Sequence, residues 1–240
     1  APHGFATNAK IVAVRVLDQS SSGWVSDWIA GLDWLNANYA TTPVDIVNMS
    51  LGTFTLFPGN CDASQPTMAA AISNLRAKGV VIFASSGNQG SSTTIAAPAC
   101  ISGVIAVGAT YDSNVGRQPS SGSYASFFGS SADCFDASTA LNKITCFTNS
   151  NSQVDILAPG APIVSTRLGG TSTTYYGTSQ ASPTAAAIAA LMLEKDPSLT
   201  PDEIESLLKS SGIPVTDTRN SLVIPRISAI TAVNAVDFYN

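Results

Sequence analysis

A serine at the start of an unusually apolar helix is the most chemically suggestive feature of this sequence. Ser179 follows Gly177 and Thr178, and no residue from 181 to 192 carries a charge. Apolar residues on all sides over a helical length predict a helix that is buried all round. A hydroxyl at its amino end would lie among unpaired backbone N–H groups at the positive end of the helix dipole, which suits a developing negative charge. Ser179 is therefore a candidate nucleophile, and its alternative role is that of a simple helix N-cap.

A second polar residue stands directly after a predicted strand. Asn88 lies in the glycine-flanked turn 84–90, which follows the β-branched run 80–85. Judged locally, an asparagine between glycines is most simply a turn residue in a left-handed conformation.

Strand-like and helix-like stretches alternate along the chain. Apolar, β-branched runs predict strands at 10–18, 44–51, 80–85, 104–110 and 154–157. Helical patterns and capping signals predict helices at about 28–39, 66–78 and 200–212. This alternation predicts an α/β fold with a doubly wound, mostly parallel sheet flanked by helices. Ligands bind beyond the carboxyl ends of the strands in such sheets, and Gly52, Asn88 and the helix of Ser179 fall at such ends.

Composition limits the class of protein. The 240 residues are 45% hydrophobic and 11% charged, with a net charge of −5, which excludes a disordered chain and a polybasic nucleic-acid surface. One domain over 1–240 is expected, and no run reaches the ~18 apolar residues of a membrane span. Residues 111–153 are too long for a plain connection and predict a surface excursion. Without a signal peptide or an initiator Met, the chain is expected to begin at a boundary set by processing or by expression.

The four cysteines lie in loop-like contexts and form no CxxC pair. We interpret them as two disulfides, Cys61–Cys100 and Cys134–Cys146, the second of which would pin the excursion. An even number of such cysteines indicates an oxidising, extracellular location. A zinc site is the alternative, but the spacing is wide and the sequence has one histidine.

Three segments resemble those of the subtilisin-like serine proteases. Residues 177–183 (GTSQASP) are similar to the nucleophile motif of that family, with Gln180 where Met is usual. Residues 84–90 (ASSGNQG) resemble the segment that carries the oxyanion-hole asparagine, and residues 47–52 (VNMSLG) resemble one wall of the substrate groove. The resemblance implies that Ser179 is the nucleophile of peptide-bond hydrolysis through an acyl-enzyme. It also implies that Asn88 and the backbone N–H of Ser179 form the oxyanion hole.

The resemblance further implies a groove in which substrate backbone adds as a strand between two walls. One wall is the strand end at 50–52, and the other is the turn formed by Ser21, Ser22 and Gly23. The pocket for the substrate residue before the scissile bond would be lined by uncharged residues: Ser50, Leu51, Gly52, Ser85, Ser86, Gly87 and Ala96. Uncharged or apolar side chains are therefore expected there. No cofactor is required, and structural calcium, which is common in the family, is not established by this sequence; no residue is assigned as a metal ligand.

The catalytic triad of that family needs Asp, His and Ser in this chain order. The only histidine is His3, too close to the strand predicted from Lys10 for a helix to fit between them. The family motifs His-Gly-Thr-His-Val-Ala-Gly and Asp-Ser/Thr-Gly are absent, and Asp18 is interpreted as a turn residue. The resemblance thus implies a large C-terminal fragment of a secreted endopeptidase. Asp and His would come from an N-terminal fragment, because loss of the His alone costs a subtilisin ~10⁶ in turnover.

Two other functions are compatible with the sequence. The missing Asp and His favour a non-catalytic domain of protease descent that binds peptide. A sedolisin-like acid peptidase uses Glu, Asp and Ser with a similar Gly-Thr-Ser motif, but it carries Asp where Asn88 stands, and residues 49–52 fit the subtilisins better.

Overall fold

The computed structural model describes residues 3–128 and 133–239. A twisted sheet occupies the centre of the molecule, and short hairpins and paired strands lie around it. The strands are β1 (Ile46–Met49), β2 (Leu56–Phe57), β3 (Val81–Ser85), β4 (Ile95–Ala96), β5 (Ile105–Tyr111), β6 (Ile156–Ala161), β7 (Ile163–Arg167), β8 (Thr171–Tyr175), β9 (Ile213–Thr216) and β10 (Val223–Arg226).

Within the described residues, six strands form the central sheet in the order β1-β3-β5-β6-β10-β9. The pairs from β1 to β10 are parallel, and only β9 runs antiparallel to its neighbour β10. Two further pairs, β2 with β4 and β7 with β8, are antiparallel and lie outside this sheet. The predicted mostly parallel α/β sheet is confirmed.

Helices cover both faces of the sheet. They are α1 (Val25–Asn38), α2 (Pro66–Arg76), α3 (Ala125–Phe128), α4 (Thr178–Lys195), α5 (Pro201–Ser210) and α6 (Ala229–Ala235), followed by a 3-10 turn at Val236–Phe238. Alternate residues of each strand point to opposite faces. Phe83 and Val107 accordingly pack in the core beneath α4, α5 and α6, whereas Ile82 and Ala106 pack in the core beneath α1 and α2.

Most predicted elements are confirmed with boundaries moved by a few residues. The helix predicted at 200–212 begins with a formed capping box, in which Glu203 N donates to Thr200 Oγ1 at 3.3 Å and Thr200 N donates to Glu203 Oε2 at 2.7 Å. The antiparallel pair β9–β10 and the hairpin β7–β8 were not predicted, because Pro214 and Pro225 interrupt the first and polar residues dominate the second.

The strand predicted at 10–18 is wrong. These residues have no regular secondary structure and are largely exposed, Ile11 to 85%. The backbone N–H groups of residues 10–17 donate no hydrogen bond to other described residues. A β-branched sequence alone does not make a strand, because a strand also needs a neighbour with which to form a ladder.

The segment 111–153, which was predicted to be a surface excursion, lies partly in the interior of the protein. Both disulfides, Cys61–Cys100 and Cys134–Cys146, are present. Residues 145 and 147–151 are buried rather than at the surface, and Cys146 between them is partly buried, while 129–132 lie outside the described residues. No helix in the described part of the chain combines the length and apolarity that crossing a membrane requires.

Candidate active site

Helix α4 brings Ser179 to the carboxyl ends of the parallel strands. The helix N-cap is Gly177, so Ser179 is its second residue, and no side chain caps the helix. This removes the interpretation of Ser179 as the N-cap. The alanines at 181, 185 and 189 are fully buried, which anchors the helix while Ser179 itself stays partly exposed.

Close backbone packing fixes the position of this helix start. Gly177 N donates to Gly160 O at 2.9 Å. A Cβ at Gly160 would lie 2.6 Å from Ala109 Cβ and 2.7 Å from Gly177 O, so only glycine permits this approach of β6 to the helix. Gly177 itself has φ 145°, a conformation that favours glycine.

The side chain of Asn88 is held against the first residue of α4. Its Oδ1 accepts hydrogen bonds from the backbone N–H and the hydroxyl of Thr178, both at 2.9 Å. The hydroxyl of Thr178 in turn accepts from Gly87 N at 3.2 Å. With its oxygen committed in this way, the amide of Asn88 has its Nδ2 free to donate elsewhere.

Two hydrogen-bond donors lie beside Gly177 at the start of α4. The position that a Cβ on Gly177 would take lies 3.4 Å from Asn88 Nδ2 and 3.5 Å from Ser179 N. Neither donor has a hydrogen-bond acceptor among the described residues. Gln180 Oε1 lies 3.0 Å from the same point and is buried without a donor in the described part of the chain; a half turn about χ3 would present its NH₂ group instead. A side chain at 177 would lie close to both donors, and glycine leaves them uncovered.

Asn149 organises the loop that carries Asn88. It is fully buried, and its Oδ1 accepts from Gln89 N at 3.0 Å and from Ser91 N at 3.1 Å. Its Nδ2 donates to Gln89 Oε1 at 2.6 Å, and Asn149 N donates to Gly87 O at 3.0 Å. Sequence reasoning missed this residue, since the stretch 148–151 has the composition of an ordinary loop.

A series of side-chain hydrogen bonds connects β1 to Ser179, the candidate nucleophile. Ser182 Oγ donates to Asn48 Oδ1 at 2.6 Å, Asn48 Nδ2 donates to Ser50 Oγ at 2.9 Å, and Ser50 Oγ donates to Ser179 O at 2.7 Å. The directions of these bonds fix the orientation of the Asn48 amide. They clamp the first turn of α4 to the carboxyl end of β1.

The residues predicted to line the pocket before the scissile bond lie together. Ser85 Oγ donates to Leu51 O at 3.1 Å, and Ala96 N donates to Ser86 O at 3.0 Å. A Cβ on Gly52 would lie 3.0 Å from Ala96 Cβ, and one on Gly87 would lie 3.3 Å from it. Ser50 joins this group through its bond to Ser179. All of these residues are small or uncharged, and their substrate-binding role stays a prediction.

Ser21, Ser22 and Gly23 form an exposed turn around Asp18, and their hydrogen bonds are made within that turn. Asp18 Oδ1 accepts from Ser20 N at 2.8 Å, Ser20 Oγ at 2.7 Å and Ser22 N at 3.0 Å. The hydroxyl of Ser20 and these backbone N–H groups lower the pKa of the Asp18 carboxyl. Asp18 is thus engaged as a turn residue, as expected.

No acid–base partner reaches Ser179 within the described residues. His3 is exposed in the segment before residue 10, and neither it nor any described carboxylate is hydrogen-bonded to Ser179. The described residues also contain no cluster of three or more His, Cys, Asp or Glu side chains that could hold a metal ion. Within the described residues, the hydroxyl of Ser179 therefore lies near two backbone or amide donors but has no hydrogen-bonded acid or base.

This combination of α/β fold and site agrees with comparisons against known proteins. A sequence profile of the Subtilase family matches residues 2–227, and the chain belongs to that family. Subtilisin E of Bacillus subtilis (strain 168) is 35% identical, with 87% of this chain and 45% of that protein covered. Serine protease AprX of the same strain is 34% identical, with 86% and 47% covered.

Solved structures agree with this assignment. A cold-adapted subtilisin-like serine proteinase superposes with a TM-score of 0.69 at 30% identity, over 94% of this chain and 69% of that one. A protease of Pseudoalteromonas arctica gives a TM-score of 0.71 at 29% identity, over 97% and 65%. The chain spans less than half the length of the two relatives from Bacillus.

Proposed function

We propose that this chain is a large C-terminal part of a secreted serine endopeptidase. One observation carries the proposal: Asn88 Nδ2 and Ser179 N are neighbours at the start of a buried helix, 3.4 Å and 3.5 Å from the position that a Cβ on Gly177 would take. Two neighbouring donors without an acceptor among the described residues suit the oxyanion of a tetrahedral intermediate. The two disulfides agree with an oxidising, extracellular location.

The proposed reaction begins when Ser179 Oγ attacks the carbonyl carbon of the scissile peptide bond. Its proton passes to a His of an N-terminal fragment that also supplies the Asp orienting that His. The carbonyl oxygen takes up the negative charge and accepts hydrogen bonds from Asn88 Nδ2 and Ser179 N. Collapse expels the amine, which takes the proton from the His. Water then attacks the ester by the same steps and releases the acid. No cofactor takes part.

The residues at 50–52, 85–87 and 96 support a preference for an uncharged side chain before the scissile bond. Nothing charged lies among them to pair with a charged substrate residue. The turn at 21–23 is proposed as the opposite wall for the substrate backbone. The chain alone is expected to be nearly inactive, because it lacks the base.

Labelling with a fluorophosphonate tests this proposal directly. The reagent should modify Ser179 when the N-terminal fragment is present, and the chain alone should react far more slowly. Ser179→Ala is the matched control and should abolish the label. An unlabelled Ser179 in the complete protein would overturn the proposal.

The lack of Asp and His motifs favours a second candidate, a non-catalytic domain of protease descent that binds peptide. Mass spectrometry of the unfractionated protein distinguishes the two, since a co-purifying polypeptide that bears a His-Gly-Thr-His sequence would exclude the second. A sedolisin-like acid peptidase is a third candidate, and a rate optimum at neutral or alkaline pH would exclude it.

A further inference from the structure

One buried polar atom at the start of α4 has no hydrogen-bond partner among the described residues. It is Oε1 of Gln180, the residue that directly follows the candidate nucleophile Ser179. A buried carbonyl oxygen normally accepts a hydrogen bond, and an exception in a folded protein calls for an explanation such as a catalytic role. The proposed catalytic steps assign no role to this side chain.

The backbone of Gln180 is held in place, so its side chain starts from a fixed position. Gln180 N donates to Gly177 O at 3.1 Å, and Gln180 O accepts from Thr184 Oγ1 at 3.0 Å. Side chains on an α-helix lean toward its amino end. That of Gln180 accordingly reaches back to the N-cap, where its Oε1 lies 3.0 Å from the position that a Cβ on Gly177 would take.

Both proposed oxyanion donors are neighbours of this side-chain amide. Asn88 Nδ2 and Ser179 N lie 3.4 Å and 3.5 Å from the same Cβ position, so all three polar atoms lie within 3.5 Å of it. Neither donor is hydrogen-bonded to Gln180 Oε1. In the part of the chain that the structure describes, an acceptor without a donor therefore stands beside two donors without an acceptor.

The orientation of the Gln180 amide decides whether it helps or hinders the proposed reaction. The carbonyl oxygen of the substrate becomes negatively charged when Ser179 attacks, and a neighbouring Oε1, itself partially negative, would repel it. A half turn about χ3 exchanges Oε1 with Nε2, and it costs little because this torsion is broad and roughly two-fold. It breaks no hydrogen bond between described residues, because neither side-chain atom makes one. The NH₂ group would then attract the oxyanion.

We propose that Gln180 is a third hydrogen-bond donor to the oxyanion, and that its side-chain amide presents Nε2 to the developing charge. The inference rests on the proposed function, because only the tetrahedral intermediate supplies the acceptor. Gln180 donates a hydrogen bond without transferring a proton, so no bond to it forms or breaks during the reaction. The orphaned amide of the free protein thus gains its partner in the transition state.

A packing role for the Gln180 side chain is the alternative. The helix is otherwise anchored by small apolar residues, of which Ala181, Ala185 and Ala189 are fully buried. A methionine at 180 would fill a similar space without burying an oxygen that lacks a donor. An amide therefore costs desolvation here that packing does not require, whereas a partner that arrives with the substrate explains it.

Steady-state kinetics of the complete protein with Gln180→Met test the inference. Methionine is similar in length and flexibility but cannot donate a hydrogen bond. The loss of one hydrogen bond to a charged oxygen predicts a fall in kcat of at least ~10-fold. KM should change little, because the bond forms only in the transition state. An unchanged kcat, or a raised KM with an unchanged kcat, would overturn the inference.

Gln153→Met is the matched control. Gln153 is also partly buried, but it precedes β6 and so lies at the amino ends of the parallel strands, opposite the candidate active site. The same change of side chain there should leave kcat unchanged. Equal falls in kcat in the two variants would contradict a role for Gln180, because they would reflect a general effect of losing an amide.

A second variant, Gln180→Glu, gives a readout that packing alone does not produce. Glutamate has the shape of glutamine, but its ionised carboxylate would repel the oxyanion, whereas its protonated form can still donate. The ratio of the kcat of this variant to that of the wild type should therefore rise at least ~10-fold as the pH falls through the pKa of the introduced carboxyl. Both proteins contain the same base, so its titration largely cancels in this ratio. A ratio that does not depend on pH would overturn the inference.

Few other described groups near the start of α4 titrate in this range. The charged residues of α4, Glu194 and Lys195, lie at its carboxyl end. The strands β1, β3, β5 and β6 and the helix α6, which pack against α4, carry no acid or base other than Tyr111. Burial raises the pKa of Tyr111 and that of Tyr176, which precedes Gly177, so neither ionises here.

Fluorophosphonate labelling separates this inference from the proposed function. Labelling of Ser179 in the complete protein, together with an unchanged kcat in Gln180→Met, would remove the role of Gln180 and keep the protease. An unlabelled Ser179 would remove both, because no oxyanion would form. Circular dichroism shows whether each variant is folded. If Gln180→Glu does not fold, the comparison of Gln180→Met with Gln153→Met decides.

Discussion

Asn149 is expected to be the most important single side chain for the loop that carries Asn88. Replacement by alanine leaves Gln89 N and Ser91 N without their acceptor, and it also removes the donor to Gln89 Oε1. Asn149 is fully buried, so water does not readily replace it. A buried hydrogen-bonding group left without a partner lowers the free energy of unfolding by ~1–3 kcal/mol. Gln89 and Ser91, whose backbone N–H groups lose their acceptor, are themselves only partly buried. We therefore expect Asn149→Ala to lower the free energy of unfolding by about 3 kcal/mol.

Urea denaturation followed by circular dichroism measures this change. Asn151→Ala is the matched control, because Asn151 is also buried but makes fewer side-chain bonds: its Oδ1 accepts from Gln153 N two residues away, and its Nδ2 donates to Phe57 O at the long distance of 3.4 Å. The control should lose about 1 kcal/mol. A loss below ~1 kcal/mol for Asn149→Ala, or equal losses for the two variants, would refute the role assigned to Asn149.

Two further predictions concern packing and pH. Gly160→Ala would place a Cβ 2.6 Å from Ala109 Cβ and 2.7 Å from Gly177 O. It should therefore lower the free energy of unfolding, measured by urea denaturation, by ~1–3 kcal/mol. A variant as stable as the wild type would contradict the packing argument. Burial raises the pKa of Asp217, but hydrogen bonds from Arg219 outweigh it and lower that pKa below the ordinary value of 3.8. The stabilisation of the folded state by ionised Asp217 is therefore complete at pH values above the ordinary pKa. It is lost as the pH falls through the lower pKa of the folded state. Asp217→Asn should flatten the pH dependence of unfolding below pH ~4, and an unchanged slope would contradict this.

The sequence predicted the elements whose patterns are local. The apolar run of α4, the capping box at Thr200 and the buried parallel strands each have a signal within a short window. The position of Asn88 and Ser179 at the same edge followed from the rule for carboxyl ends of parallel strands. The resemblance to the subtilisin-like proteases added their roles, which stay proposals.

The remaining features depend on contacts between distant parts of the chain. The side-chain hydrogen bonds from Ser182 through Asn48 to Ser50 join distant parts of the sequence, since Ser182 and Asn48 are 134 positions apart. No local sequence pattern encodes them. Asn149 acts on a loop 60 residues away. The error at residues 10–18 has the same origin, because strand formation there depends on a neighbour and not on the β-branched residues themselves.

The turnover number of the complete protein with Asn88→Leu tests the central claim most directly. Leucine keeps the approximate size of asparagine but can neither donate to an oxyanion nor accept from Thr178 N and Thr178 Oγ1, so the free energy of unfolding of the variant is measured alongside its kcat. The account predicts a fall in kcat of ~10²–10³ with little change in KM, comparable with the loss seen when a subtilisin loses its oxyanion-hole asparagine. A kcat equal to that of the wild type, in a variant with unchanged stability, would contradict the assignment of Asn88 and Ser179 as one catalytic site.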